Sequence, residues 1–229
     1  GDQGAAKKAL RGMRRRELLR IALSSMVGVS DNARVAEALT GLACEFLAGI
    51  LSLARAPEDG IEFAIIAMGR FGGGELSFGS DLDVVYVFRD NGAGANASQV
   101  AAEIVKNIIL LSEDVLFPVD LDAGLRPEGK NGPLVRSLEA FSQYYQRWAL
   151  GWEAQALLRA ASCVGEESLH DDFLEMAAPY RYPVSFSDDQ AREIRRIKAR
   201  VEAERLPQGA DSSRHMGCTI STNRPSRLG

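Results

Sequence analysis

Two aspartates, Asp81 and Asp83, stand at positions i and i+2 at the head of the apolar run Val84 to Phe88. On a strand such residues project to one side, roughly 6–7 Å apart at Cα. That is close enough to share a hard divalent cation, and uncomfortable for two ionised carboxylates without one. Mg2+ takes one or two carboxylates and completes its shell with water and phosphate oxygens, so the pair suits Mg2+ with ATP as substrate. A second alternating pair, Asp120 and Asp122, lies in Phe117-Pro-Val-Asp-Leu-Asp122. Asp122, in preference to Asp120, is the expected third ligand of a clamp that activates an attacking hydroxyl and steadies departing pyrophosphate.

Between the apolar run Phe63 to Met68 and the aspartates sits a glycine cluster, Gly69, Gly72, Gly73 and Gly74. The stretch Ile61 to Asp90 therefore reads as strand, glycine turn, strand, with carboxylates at its mouth. Lacking a Cβ, Gly72 and Gly73 let backbone N–H groups approach a phosphate, and Arg70 can add charge. The plain alternatives are a tight hairpin turn for the glycines and a strand-edge charge pair for the aspartates. Rival motifs fail on their letters: there is no Gly-Lys-Ser/Thr, GRFGGG is not GxGxxG, and no bidentate glutamate completes a calcium loop. A phosphatase of the haloacid-dehalogenase type would use Asp120 as nucleophile, but the Thr or Val expected after its Asp-x-Asp is missing.

The positioning elements follow from periodicity. Leu10, Met13, Leu18, Ile21 and Ala22 mark an amphipathic helix over Ala5 to Met26, its seven basic residues expected to form a solvated face. A second helix, Asn32 to Ala54, has Ser30 or Asp31 as cap. Val100 to Val115 predicts a third helix, and Phe117 to Asp122 a third strand. Beyond the turn-rich Arg126 to Pro133, helices are expected over Leu138 to Trp148, Trp152 to Ala161, Leu169 to Ala178 and Ser187 to Arg205. Ser187 and Gln190 form a capping box for the last. The expected architecture is α+β: leading helices and a small mixed-sheet domain over 1–137, a helical domain over 138–206, and an irregular tail over 207–229.

A chain of 229 residues can bury a sizeable core, and its net charge of −4 gives no general nucleic-acid-binding surface. Cys44, Cys163 and Cys218 are far apart in sequence and are expected to be plain reduced thiols, and with only His170 and His215 a Cys/His zinc site is not expected. The basic N-terminus lacks an unbroken apolar core, and no run is expected to reach the ~20 apolar residues of a membrane span. A soluble, cytoplasmic protein is the expectation.

AMGRFGGGELSFGSDLDVVYVF resembles the signature of the glutamine synthetase adenylyltransferases, within the polymerase-β-like nucleotidyltransferase superfamily. LDAGLRPEGKNGPLVRSLEAFSQYYQRWALGWEAQALLRA and IRRIKARVEAERLPQGAD are similar to the family's continuation, so the resemblance covers most of Leu10 to Asp211. It implies that Gly72 and Gly73 form the phosphate turn, that Asp81, Asp83 and Asp122 hold Mg2+, and that Ser80 and Arg126 lie at the nucleotide. It implies transfer of AMP from ATP to a tyrosine of glutamine synthetase, with regulation by a PII-type signal protein and glutamine. GSDLD and WEAQALLRA look more like the family's C-terminal, AMP-adding domain; the alternatives are phosphorolytic AMP removal by the same type of site, or an inactive fragment that only binds glutamine synthetase or a PII-type signal protein. Ala161 stands where relatives often carry arginine, and the tail after Asp211 does not continue the family pattern.

Overall fold

The core strands alternate their side chains between two helical layers. The computed structural model describes residues 3–148, 151–182 and four single positions, 192, 195, 196 and 199. In chain order its elements are α1 (Gln3–Met26), α2 (Asn32–Ala54), β1 (Ile61–Ala67), a single turn α3 (Gly69–Gly72), β2 (Leu82–Asp90), α4 (Ala97–Ser112) and β3 (Leu121–Asp122). There follow β4 (Val135–Ser137), α5 (Leu138–Trp148), α6 (Gly151–Leu157), β5 (Ala161–Gly165) and α7 (Glu167–Arg181). The fold is α+β, as expected.

The sheet order is β3-β2-β1-β5, with β4 also on β2. β1 runs antiparallel to β2 and β5, whereas β3 and β4 share the outer edge of β2 in parallel, β3 at its start and β4 towards its end. Phe63, Ile65, Val84 and Tyr86 face α2 and α4, meeting Leu39, Phe46, Ile50, Ile104 and Ile108. Ala64, Ile66, Val85 and Val87 face the other way, onto Phe141, Leu157, Leu169 and Phe173 of α5, α6 and α7. This period-two split gives a sheet covered on both faces, and explains why its strands read as unbroken apolar runs.

The compact unit that holds the sheet spans Gly1–Ser185, past the expected boundary at Leu138, because α5 to α7 supply the cover for one sheet face. A second unit spans Phe186–Gly229. The expected helix from Ser187 to Arg205, with its capping box, lies outside the described residues apart from the four single positions, as does the tail.

Several local expectations are corrected. Of the two caps expected for α2 the structure uses Asp31, its Oδ1 accepting the Arg34 N–H at 2.8 Å. The helix expected to reach Val115 stops at Ser112, leaving Val115 exposed. The expected third strand shrinks to Leu121–Asp122. The helix expected to reach Ala161 ends at Leu157, and Ala161 opens β5 instead, paired to Ala67. α2 is long and apolar enough to cross a membrane by length and composition, contrary to expectation. Its apolarity is accounted for by the buried side chains it sets against the sheet.

The basic face of α1 is not simply solvated. Arg15 makes a two-pronged contact with the buried Asp114, and Arg14 donates to the Phe117 carbonyl at 2.7 Å while lying over the Phe46 ring. Lys7 donates to the Leu110 carbonyl. These side chains fasten the C-terminal end of α4 and the segment leading to β3, which carries Asp122.

Candidate metal and nucleotide site

The site forms where the β1–β2 ladder ends. The Met68 N–H donates to the Asp83 carbonyl at 2.8 Å, and the chain then turns through α3. Gly69 has φ +51°, and a Cβ there would stand 2.2 Å from Asp83 Oδ2. Only glycine permits both that backbone conformation and the close approach of the carboxylate. Sequence reasoning passed over Gly69, because the signal lies in the folded position of Asp83 rather than in the glycine spacing.

Gly72 answers a different demand. A Cβ on it would lie 1.9 Å from the Arg159 carbonyl oxygen and 2.5 Å from that of Ala67, so it is the close-packing point between the turn and the approach to β5. The Gly72 and Gly73 amides donate to the Met68 and Gly69 carbonyls at 2.7 and 3.1 Å. These two N–H groups, expected at the phosphate, are engaged within the turn itself.

The segment between turn and strand is braced by its own side chains. Ser80 Oγ accepts the Ser77 N–H at 3.1 Å and lies 2.9 Å from Ser77 Oγ, while Arg70 donates to Ser77 Oγ and to the Glu75 carbonyl, each at 3.2 Å. Arg159 pairs with Glu75 on the same turn at 2.6 Å. Ser80 and Arg70 thereby fix the stretch that delivers Asp81.

The Leu82 N–H donates to the Asp120 carbonyl at 2.8 Å, starting a parallel pairing in which Asp83 lies opposite Asp122. Asp81, two residues before Asp83, completes the group: ligand oxygens of Asp81, Asp83 and Asp122 all lie within 4.8 Å of one another. Asp81 is exposed; Asp83 and Asp122 are half-buried. Asp122 Oδ1 accepts the Gly124 N–H at 2.7 Å, which fixes its rotamer. Asp120 stands outside this cluster and instead lines an apolar cavity of about 580 Å³ with Leu39, Phe46, Leu82 and Phe117.

The donor set fits Mg2+. Oxygens on opposite sides of an octahedral Mg2+ stand about 4 Å apart, so carboxylates already this close need little movement to share one or two ions. Among the described residues no ion pair engages Asp81 or Asp122.

Arg126, expected at the nucleotide, is engaged with its own loop. Its guanidinium donates to the carbonyls of Ala123 (2.7 Å), Lys130 (3.2 Å) and Gly132 (3.1 and 3.2 Å), tying together the loop that follows Asp122. The same loop is held from below by Glu153, fully buried on α6, whose Oε1 accepts the Glu128 N–H at 3.1 Å and the Tyr144 hydroxyl at 2.8 Å. Burial and this carboxylate push Tyr144 up to about 12. Glu128 is the one non-glycine with positive φ (63°) among the described residues, and the Glu153 bond secures it. Glu153 was not singled out from sequence, where it is one helical glutamate among several.

Comparison with known proteins identifies the family. A sequence model of the family described as Glutamate-ammonia ligase adenylyltransferase matches residues 1–176. The chain belongs to the glutamate-ammonia ligase adenylyltransferase family. Three similar relatives of this family come from Leifsonia xyli subsp. xyli (53% identical over 215 residues, 92% of this chain), Mycobacterium avium (44% over 230 residues, 93%) and Streptomyces coelicolor (42% over 238 residues, 93%). Each is named a bifunctional glutamine synthetase adenylyltransferase/adenylyl-removing enzyme. The alignments take in 21%, 23% and 24% of those proteins, so the chain spans about a fifth to a quarter of the relatives' length.

Proposed function

We propose that this chain carries an adenylyltransferase centre, which moves AMP from ATP to a tyrosine of glutamine synthetase and releases pyrophosphate. The observation that carries the reading is the meeting of Asp81, Asp83 and Asp122 within 4.8 Å, in a chain of this family. Mg2+, when bound with ATP, would supply Lewis-acid stabilisation of charge on the phosphates.

The chain's own residues supply position and proton transfer. Asp83 and Asp122 are held opposite each other by strand pairing, and Asp81 opens to solvent at the mouth. One Asp122 oxygen is taken by Gly124, leaving Oδ2 to ligate or to accept the proton of the attacking tyrosine hydroxyl. Ser80 and Arg70 brace the turn that leads to Asp81, and Arg126 keeps the loop after Asp122 in place. The AMP-adding direction, a PII-type signal protein as a further partner and a cytoplasmic setting rest on the family resemblance.

Incubation with labelled ATP, Mg2+ and unmodified glutamine synthetase is expected to label the synthetase. ADP formed instead from phosphate and adenylylated synthetase, with no labelling in the forward assay, would assign the removing reaction to this site.

A further inference from the structure

Cys44 on α2 and Cys163 on β5 are separated by 119 residues of chain, yet their Sγ atoms lie 3.3 Å apart. Both are free thiols and half-buried, so they are packed together without being sealed from solvent. Neither belongs to the carboxylate cluster.

A defect in the sheet brings them into contact. Along β5, Val164 pairs with Ile65 and Ser162 with Ile66, so the pairing skips Cys163. Cys163 is the extra residue of a bulge, which re-aims its side chain. Regular alternation sends neighbouring residues to opposite faces. Here Cys163 and Val164 both pack against the core on the α2 side. Cys44 lies on α2 beside the buried Ala43, within reach of the re-aimed thiol. The Cys163 S–H donates to Cys44, which holds the Cys44 thiol below its ordinary range, while that bond and burial push Cys163 up. The pair therefore has an attacking and a resolving member.

We propose that Cys44 and Cys163 are a reversible oxidation site, at which a peroxide converts the two thiols into a disulfide linking α2 to the edge strand β5. The Cys44 thiolate attacks a peroxide oxygen: an S–O bond forms, the O–O bond breaks, and the released hydroxide takes up the thiol's proton as water. The Cys163 thiol sulfur then displaces hydroxide from the Cys44 sulfenic acid: the S–S bond forms, the S–O bond breaks, and the departing hydroxide takes the Cys163 proton as a second water. Two electrons pass from sulfur to peroxide, and an external dithiol returns them.

The test is a hydrogen peroxide titration of the pre-reduced 229-residue chain carrying Cys218→Ser, which leaves two of its three cysteines. Thiol counting and peptide mass mapping are expected to show both thiols lost together, one peptide pair joining Cys44 to Cys163, and full recovery with dithiothreitol. Cys163→Ser in the same background should stop at a sulfenic acid on Cys44, trapped by dimedone. Separate sulfenic or sulfinic acids without a linked peptide in the parent chain, or disulfides formed only between chains, would overturn the proposal.

Discussion

The two ends of the β1–β2 ladder treat carboxylates in opposite ways. At the far end four acids are clamped by two arginines. Arg89 lies across from Glu62 in the strand register, donating to it at 2.8 Å, and also contacts Asp172 of α7. Arg55 donates to Asp59 at 2.8 Å, pairs with Glu166 and reaches the Ile61 carbonyl at 2.7 Å, while Glu166 accepts the Phe63 N–H at 2.7 Å. At the near end Asp81, Asp83 and Asp122 gather around one another. Acids matched by arginines fasten α2, β1 and α7 together; the three aspartates instead bring ligand oxygens within 4.8 Å of one another, as a shared cation requires. The fold therefore places ion pairs that tie elements together at one end of the ladder and a convergent set of oxygen ligands at the other.

That contrast predicts opposite responses. Asp83→Asn should lower the rate of AMP transfer by about a thousandfold, the several kcal/mol a metal contributes to such a step, while thermal melting without metal moves less than in Arg55→Ala. Arg55→Ala should do the reverse. Leaving Asp59 and Glu166 without their partner costs about 3 kcal/mol, a fall in Tm of roughly 6–12 °C, with Mn2+ affinity retained. Equal loss of affinity in both variants would break the contrast.

Gly69→Ala sharpens it. The added methyl meets the Asp83 carboxylate, so metal affinity should fall about 10- to 100-fold, in titrations of a chain that remains folded by circular dichroism. The smallest effect concerns Asp114, whose Arg15 partner holds it down to about 2. A carboxyl depressed in the folded state stabilises above its unfolded value of about 4, and that contribution is lost as pH falls from about 4 through about 2. Wild type should therefore melt roughly 3–6 °C above Asp114→Asn at pH 6, and the gap should close near pH 2.

The near end was readable in sequence because its information is local. Asp81 and Asp83 alternate at the head of one strand, and Asp122 announces itself by the same spacing on another. What sequence could not supply depends on distant partners. Gly69 matters because Asp83 folds over it. β4 and β5 are short pieces made into strands by open edges of β2 and β1, and WEAQALLRA gave no sign of where its helix would yield to β5. The basic face of α1 looked solvated because Asp114 and the Phe117 carbonyl lie about a hundred residues away in the chain. Cys44 and Cys163 looked unrelated until a bulge turned one towards the other.

The central claim is that the three-aspartate cluster is a cation site for a nucleotide substrate. Calorimetric titration of Mn2+ into the chain with a non-hydrolysable ATP analogue tests it directly, since Mn2+ shares the preference of Mg2+ for carboxylate and phosphate oxygen. Saturable binding that disappears in Asp83→Asn, at unchanged Tm, is the predicted result. Equal binding by wild type and Asp83→Asn, or none by wild type, would contradict it.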